Sequence, residues 1–398
     1  MAAPSEIGEC RTVALPGPIS FANGTRVLCL YATVHALVDA ICVAVLFGIS
    51  TRYALGTHTL LGLIFWYCAL AFGLQPVFGL VVDALHAPRQ AAVLGCLLAA
   101  SVLLLLSWPM VAISVAGIGN AGFHVGGGAV SLWLTPRKAT APGIFVAPGA
   151  FGLFVGAMIG KLGWPATGPL LAAVLVLSFL MTSVRGFSTT PLSPSPPAPL
   201  PRGERGVLLE PLRVPQAEPP ARTGRRVNRG GLLLGFILFA VVVRSFVGLL
   251  VVQPWKTDVV LLSVLALAVV LGKALGGILA DRWGWTRVSV GAMLAAAPFL
   301  AFGDAPPFIL VPGLFLLNLA MPVMLVAIAE VLPRSPAFAF GLTSLAVLLG
   351  GLPPLLDAPA TAPATVVAVM LVAALALYRG LQLLPSHDSP SRTAGVQE

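Results

Sequence analysis

Long apolar runs separated by turn residues are the feature that most constrains how this chain can fold. Continuous runs of about 20 apolar residues match a helix that crosses a ~30 Å hydrocarbon layer. Barrel strands instead alternate apolar and polar residues. Charged residues make up only 9% of the 398 residues, against about 25% in soluble domains. The chain is therefore predicted to be an all-α integral membrane protein with twelve transmembrane helices, at about 26–50, 58–81, 90–107, 109–134, 142–160, 166–185, 231–252, 258–280, 287–303, 307–332, 337–356 and 361–380.

The basic residues are distributed unevenly over the predicted loops. If the N-terminus is cytoplasmic, the outer loops hold only Arg52, Lys161 and Lys256 of the 23 basic residues, while Arg244 and Lys273 lie within spans. The positive-inside rule then predicts cytoplasmic N- and C-termini. We expect a multi-pass protein of a cell membrane, such as a bacterial inner membrane. This topology accounts for the net charge of +9, so no nucleic-acid partner is expected.

One segment, 186–229, differs in composition from the rest of the chain. It is rich in Pro and Arg and has few apolar residues, so it is predicted to be a disordered, basic cytoplasmic linker. It separates a six-helix bundle at 26–185 from a second at 230–380. Cytoplasmic tails are predicted at 1–25 and 381–398.

An internal repeat relates the two predicted bundles. Matching residues 198 or 197 positions apart occupy equivalent loops on the same side of the membrane, which predicts a parallel repeat. The matching pairs are Gly79 with Gly277, Asp83 with Asp281, Arg89 with Arg287, and Pro136–Arg137 with Pro333–Arg334.

The second copy of this loop, Gly-x-x-x-Asp-Arg-x-Gly-x-x-Arg, resembles the loop signature of the major facilitator superfamily. The resemblance extends over residues 26–380 and implies two pseudo-symmetric six-helix bundles. It also implies that the loop belongs to a gate between conformational states. The first copy departs from the signature at Ala84 and from His86 to Pro88. Glu330 is expected to join the gate with Arg334 or Arg137. The expected cytoplasmic gate comprises Gly79, Asp83, Arg89, Arg137, Gly277, Asp281, Arg282, Gly284, Arg287, Glu330 and Arg334.

A narrower resemblance rests on polar residues inside the predicted spans. The residues that are similar to the fosmidomycin-resistance branch of drug exporters are His35, Asp39, Gln75, Asn120, His124 and Arg244. The sequence departs from that branch after His124, because Val125 and glycines stand where the branch typically has Pro and an acidic residue.

Few ionisable residues lie inside the spans, and burying their charges in a membrane costs free energy. A charge at mid-bilayer costs roughly 3 kcal/mol, which selects against charges without a role. His35 and Asp39 lie one helical turn apart and can share a proton. Because the resembling family lines its cavity with the first and fourth helices of each half, the resemblance implies that several of these residues converge. The candidate proton-relay and substrate residues are His35, Asp39, Gln75, Asn120, His124, Arg244, Lys273 and Asn318.

Two interpretations of Asp39 and Arg244 remain open at this point. In the first, Asp39 is ionised while it faces Arg244 and takes up a proton when an anionic substrate engages Arg244. Proton and substrate then compete, as antiport requires. In the second, the two side chains form a fixed ion pair between the halves, and the histidines donate to backbone carbonyls.

The predicted function is a secondary active transporter that exports a small amphiphilic or anionic compound in exchange for protons, working as a monomer by alternating access. One alternative is proton-coupled symport of a carboxylate-type nutrient. A second is a transport-fold scaffold that docks a partner through the linker. No Walker-type loop, metal-ligand spacing or nucleophile motif appears, so neither a cofactor, a metal nor an enzymatic activity is expected.

Overall fold

The computed structural model describes residues 21–163, 166–183, 223–251, 258–301, 306–356 and 362–384, and within these ranges it contains no β-strand. The α-helices are α1 (Phe21–Arg52), α2 (Thr57–Cys68), α3 (Gln75–Leu85), α4 (Pro88–Ser101), α5 (Pro109–Leu134), α6 (Thr140–Leu162), α7 (Thr167–Ser183), α8 (Thr223–Leu250), α9 (Val259–Trp283), α10 (Trp285–Leu300), α11 (Pro307–Leu319), α12 (Met321–Val331), α13 (Pro336–Leu355) and α14 (Pro363–Leu383).

These helices form twelve segments that stand where the twelve spans were predicted. A π-helical turn, Ala69–Gly73, joins α2 to α3, and α11 and α12 together form one apolar span. Pro322 follows the break between α11 and α12, where a proline amide cannot continue the hydrogen-bond ladder. Among the described residues, nine segments are long and apolar enough to cross a membrane, and the segments formed by α4, α7 and α10 are shorter.

The helix boundaries differ most from prediction around the 186–229 segment. Helix α8 begins at Thr223, so the last residues predicted as linker continue the helix of the seventh span. Arginine, frequent in this stretch, is a good helix former. The rest of the predicted linker lies outside the described residues, as do most of the two predicted tails.

Equivalent helices make equivalent contacts in the two halves, α1–α7 and α8–α14. Helix α1 packs along α6, and α8 packs along α13 in the same way. The halves meet where α6 lies against α9 and α3 lies against α13. Both interfaces pair the second span of one half with the fifth span of the other. This arrangement agrees with the predicted parallel repeat.

Candidate functional site

Four buried polar side chains meet in the interior of the first half. Helix α1 contributes His35 and Asp39, and α5 contributes Asn120 and His124. The Asp39 carboxylate lies at the centre, with His35 Nε2 at 3.3 Å from Oδ2 and His124 Nε2 at 3.6 Å from Oδ1. Asn120 Nδ2 donates to Oδ1 at 2.8 Å. These four residues are named the carboxylate–histidine cluster.

Backbone carbonyls fix the orientation of both imidazole rings. His35 Nδ1 lies 2.7 Å from the Phe145 carbonyl oxygen, and His124 Nδ1 lies 2.9 Å from the Asn120 carbonyl oxygen. Because a carbonyl only accepts, each Nδ1 carries a proton. Each Nε2 is then directed at Asp39, and in the neutral ring it presents a lone pair to a carboxylate oxygen. A proton or another cation is needed to bridge these acceptors.

Helix α6 lies directly against the cluster because residue 149 is a glycine. A Cβ at Gly149 would collide with His35 Nε2 and would lie 2.7 Å from Asp39 Oδ2. Pro148 precedes it inside the helix and lacks the amide that would bond the carbonyl of residue 144. The next carbonyl, that of Phe145, accepts from His35. Helix α6 continues through Pro148 and forms one wall of the site.

A second buried polar group lies in the other half. Arg244 of α8 donates from Nη1 to Asn318 Oδ1 of α11 at 3.3 Å, and Asn318 Nδ2 donates to the Leu314 carbonyl at 2.8 Å. Arg244 Nε is buried without a hydrogen-bond partner. Within the described parts of the chain, no carboxylate forms an ion pair with Arg244. The guanidinium therefore has donor capacity for a ligand.

Lys273 of α9 connects the two polar groups electrostatically. Its Nζ lies 3.4 Å from the carbonyl oxygen of Val146 on α6, so it crosses the interface between the halves. It interacts electrostatically with Asp39 and His124 of the cluster and with Arg244. A change of charge at Asp39, His124 or Arg244 therefore alters the electrostatic environment of Lys273.

At one end of the bundle, two carboxylates each hold the N-terminus of a helix from the opposite half. Asp83 of α3 accepts from the amides of Ala337 at 3.0 Å and Phe338 at 2.8 Å, at the start of α13. Asp281 of α9 accepts from the amides of Ala139 at 2.8 Å and Thr140 at 2.9 Å, at the start of α6. A negative charge at a helix N-terminus is favourable. This end is named the gate end.

Close backbone packing and an ion pair complete the gate end. A Cβ at Gly79 would lie 2.6 Å from the Ala337 carbonyl oxygen, and a Cβ at Gly277 would overlap the Ala139 carbonyl. Arg137 Nε lies 3.3 Å from Glu330 Oε2 across the halves, so Glu330 pairs with Arg137. Exposed pairs of this kind contribute up to about 1 kcal/mol.

The sequence model of the Major Facilitator Superfamily matches residues 28–353 of this chain. The chain belongs to the Major Facilitator Superfamily. A search of curated protein sequences gave no match.

Solved structures of Major Facilitator Superfamily transporters share the fold. The transporter FucP in the outward conformation superposes with a TM-score of 0.63 at 11% identity, over 92% of this chain and 99% of that one. The E. coli fucose:proton symporter gives 0.61 at 12%, over 90% and 97%. The human organic anion transporter TETRAN gives 0.61 at 15%, over 91% and 99%. The predicted fold class of a multi-pass transport protein is thus confirmed.

Within this superfamily fold, the predicted relay residues form two groups and not one. The first is the carboxylate–histidine cluster, and the second is Arg244 with Asn318. The fixed ion pair between Asp39 and Arg244 does not occur among the described residues. Gln75 joins neither group, since its Nε2 donates to the Ala71 carbonyl at 2.7 Å within its own span.

The predicted gate residues also divide into those that meet and those that do not. Arg89 donates to the Met181 carbonyl at 2.9 Å inside the first half, and Arg282, Arg287 and Arg334 are exposed. The residues that meet across the halves are Gly79, Asp83, Arg137, Gly277, Asp281 and Glu330.

The two copies of the loop end their helices with a positive φ at equivalent positions but differ in backbone conformation. His86 has φ of +52° and ψ of 38°, in the left-handed region, whereas Gly284 has φ of +98° and ψ of 137°. A positive φ favours glycine, and the first copy adopts it with a histidine. The Asp83 contact is present in the first copy despite this difference.

Backbone groups are the site components that the sequence did not reveal. They include the Phe145 and Val146 carbonyls and the amides at the starts of α6 and α13. Two signals point toward them in retrospect. Pro148 removes one amide donor from inside α6, and Pro336 occupies the first turn of α13, where proline is favoured.

Proposed function

We propose that this chain carries a small anionic or amphiphilic compound across the membrane by alternating access, coupled to proton movement through the carboxylate–histidine cluster. The observation that carries the proposal is the separation of two buried polar groups into opposite halves. One is rich in acceptors and the other has unused donors. Ionisable side chains inside a membrane cost free energy, so those that are present usually have a function.

The proton-binding group is Asp39 with its two histidines. A proton between Asp39 and either Nε2 atom removes a repulsion between lone pairs and neutralises the buried carboxylate. His35 lies on the same helix as Asp39, and His124 faces it from α5. The titratable groups that act on Asp39 are His35, His124, Lys273, Cys42 and Tyr67.

The substrate-binding group is Arg244, with Lys273 nearby. A buried guanidinium without a counter-charge is unfavourable. An anionic substrate supplies that charge and the acceptor that Nε lacks. The apolar side chains around the site favour an amphiphilic compound.

The arrangement of these charges bears on the direction of coupling. Antiport was expected because Arg244 was to exchange between Asp39 and the substrate, but Arg244 is bonded to Asn318 and Asp39 to α5. An anion near Arg244 and Lys273 would favour protonation of Asp39. Proton and anion then bind together, which supports symport as a second candidate. Antiport requires a substrate that itself reaches the carboxylate–histidine cluster.

The gate-end contacts are proposed to close the cytoplasmic face. Several basic residues are exposed at this end, among them Arg137, Arg282 and Arg334, as the positive-inside rule expects of a cytoplasmic face. The alternation then consists of breaking the Asp83 and Asp281 contacts while the opposite end closes. The narrower likeness to fosmidomycin-resistance exporters, and with it efflux and drug resistance, stays a prediction.

The test is transport into proteoliposomes under an imposed pH gradient, with a panel of small carboxylates and amphiphilic anions. We expect flux that follows the gradient, and its sign distinguishes antiport from symport. Asp39→Asn should remove the dependence on the gradient. Asp258→Asn is the matched control, because Asp258 caps its own helix α9. Unchanged pH dependence in Asp39→Asn would refute the proposed coupling.

The scaffold alternative is tested by shortening the predicted linker. Because α8 begins at Thr223, a deletion of 190–220 leaves the helix intact. A transporter should retain flux after this deletion. A scaffold that docks a partner through the linker should lose its function.

A further inference from the structure

We propose that the carboxylate–histidine cluster is also a binding site for one divalent transition-metal ion, held by His35 Nε2, His124 Nε2 and the Asp39 carboxylate. One ligand atom from each of these residues lies within 4.8 Å of the others, and all three residues are buried. The inference goes beyond the proposed transport function and does not depend on its substrate or direction.

The distances among the ligand atoms fit a metal coordination sphere. Nitrogen and oxygen ligands about 2.0–2.2 Å from a tetrahedral zinc ion lie roughly 3.4 Å from one another. The carboxylate oxygens of Asp39 lie 3.3 Å from His35 Nε2 and 3.6 Å from His124 Nε2. The two distances run to different oxygens of the carboxylate, and all three ligand atoms lie within 4.8 Å of one another, so small adjustments of the side chains would close the three ligands around an ion.

The surrounding hydrogen bonds are those that metal ligands require. A metal-binding histidine usually donates its other ring N–H to a carbonyl or carboxylate. Here the Nδ1 atoms of His35 and His124 both face backbone carbonyls, at 2.7 and 2.9 Å. Asn120 donates to the carboxylate of Asp39. The free lone pairs of the three ligands therefore converge on one another.

This convergence separates a metal site from an ordinary hydrogen-bonded cluster. A single proton bridges one Nε2 atom and one carboxylate oxygen, and it leaves the other Nε2 atom facing an acceptor. A divalent cation satisfies both Nε2 atoms and the carboxylate together. A bound metal ion takes the place of the proton, so the two cations exclude each other at this site.

The ligand set selects the class of metal. Two imidazoles and one carboxylate suit Zn²⁺, Co²⁺, Ni²⁺ or Fe²⁺, whereas Ca²⁺ and Mg²⁺ prefer oxygen ligands alone. Residue spacing does not predict this site, because His124 lies on a different helix from the other two ligands. A water molecule or a substrate atom would have to supply the fourth ligand.

Replacing Lys273 distinguishes metal binding at the cluster from a purely structural role of these residues. Its charge acts on both Asp39 and His124 and therefore opposes the binding of a cation. Removing that charge in Lys273→Gln should tighten metal binding. Loss of packing alone would weaken binding or leave it unchanged.

The experiment uses the purified full-length protein without a polyhistidine tag. Zn²⁺ binding is measured by calorimetry, and Co²⁺ binding by its visible absorption, which reports coordination geometry. His35→Asn and His124→Asn keep a side-chain donor near the position of Nδ1 and remove Nε2. The matched control is His58→Asn, since His58 is exposed at the start of α2. Size-exclusion profiles and thermal unfolding establish that each variant is folded.

We expect one ion per chain and unchanged binding in His58→Asn. Binding should weaken in His35→Asn and His124→Asn by at least the about 10- to 100-fold that loss of a partner behind a metal ligand typically costs. Absence of Zn²⁺ and Co²⁺ binding by the folded wild-type protein overturns the inference. Equal weakening in His58→Asn and His124→Asn does so as well. Proton-driven transport without metal binding would leave the proposed function standing, and metal binding without such transport would leave this site standing.

Discussion

At the scale of single residues, hydrogen bonds fix the orientations of the polar side chains in the carboxylate–histidine cluster. Asp39 contacts His35, Asn120 and His124, and both rings are held by carbonyls. Such preorganisation limits the cost of burying a carboxylate, because Asn120 donates to Asp39 and both Nδ1 atoms face carbonyl oxygens, while the Nε2 atoms await a proton or another cation. The hydrogen bonding of Arg244 is less complete, since its Nε has no partner. The two groups therefore differ in what they can bind.

Gly149→Ala should damage the cluster through crowding. The new Cβ collides with His35 Nε2 and lies 2.7 Å from Asp39 Oδ2, so α6 must move away from α1. Overpacking of this kind costs about 1–3 kcal/mol. Thermal unfolding in detergent measures it. Gly48→Ala is the matched control, because the nearest atom to its Cβ is 4.0 Å away, and a lower melting temperature there as well would contradict this account.

Arg244→Lys should lower the affinity for anionic members of the substrate panel. Lysine keeps the charge but lacks the fork of donors that includes Nε. Hydrogen bonds to charged groups contribute about 1.5–3 kcal/mol, which corresponds to about 10- to 100-fold in affinity. Competition assays in proteoliposomes measure the change, and the exposed Arg282→Lys serves as control. An equal loss for neutral compounds would argue against anion recognition at Arg244.

At the scale of helices, function depends on where helices begin and end. The starts of α6 and α13 are held by carboxylates of the opposite half. The breaks that separate α2 from α3 and α11 from α12 lie within single spans. The amides that bind the carboxylates at the gate end are available because they lie in the first turns of α6 and α13, where no helical carbonyl accepts from them. Breaks and termini are therefore where this fold can change shape.

Asp83→Asn and Asp281→Asn should each open the gate end. An amide has one accepting oxygen and no charge, so it holds the opposite helix N-terminus less strongly. The loss of about 1.5–3 kcal/mol shifts the equilibrium by about 10- to 100-fold. Electron–electron distances between spin labels at Lys138 and Arg334, both exposed at this end, measure the open fraction in a background without native cysteines.

The control for the gate variants is again Asp258→Asn. Asp258 accepts from the amide of Leu261 in its own helix at 2.9 Å and does not join the halves. Its replacement should lower stability without changing the distance between the labels. An increase in distance equal to that of Asp83→Asn would show that helix capping in general, and not the contact between halves, sets the gate.

At the scale of the whole molecule, much of the architecture follows from sequence. The length of the apolar runs predicts the spans, because in lipid a helix is the structure that satisfies the backbone hydrogen bonds of such a run. The repeated Asp83 and Asp281 predict equivalent contacts in the two halves. The meeting of α1 with α5 at Asp39 and His124 does not follow from apolar patterns, which carry no information on neighbours. The expected pairing of Asp39 with Arg244 is not present in this structure, for a related reason. The sequence places the two opposite charges in separate halves, but it does not give the distance between them.

The most direct test concerns the control of the gate by the carboxylate–histidine cluster. Asp39 attracts Lys273 of the other half, and protonation removes the charge responsible. We therefore predict a larger open fraction at the gate end in acidic than in neutral buffer, because acid protonates the cluster. The labels at Lys138 and Arg334 measure it. Asp39→Asn should keep the larger open fraction at both pH values, whereas a variant that responds to pH as the wild type does would contradict the account.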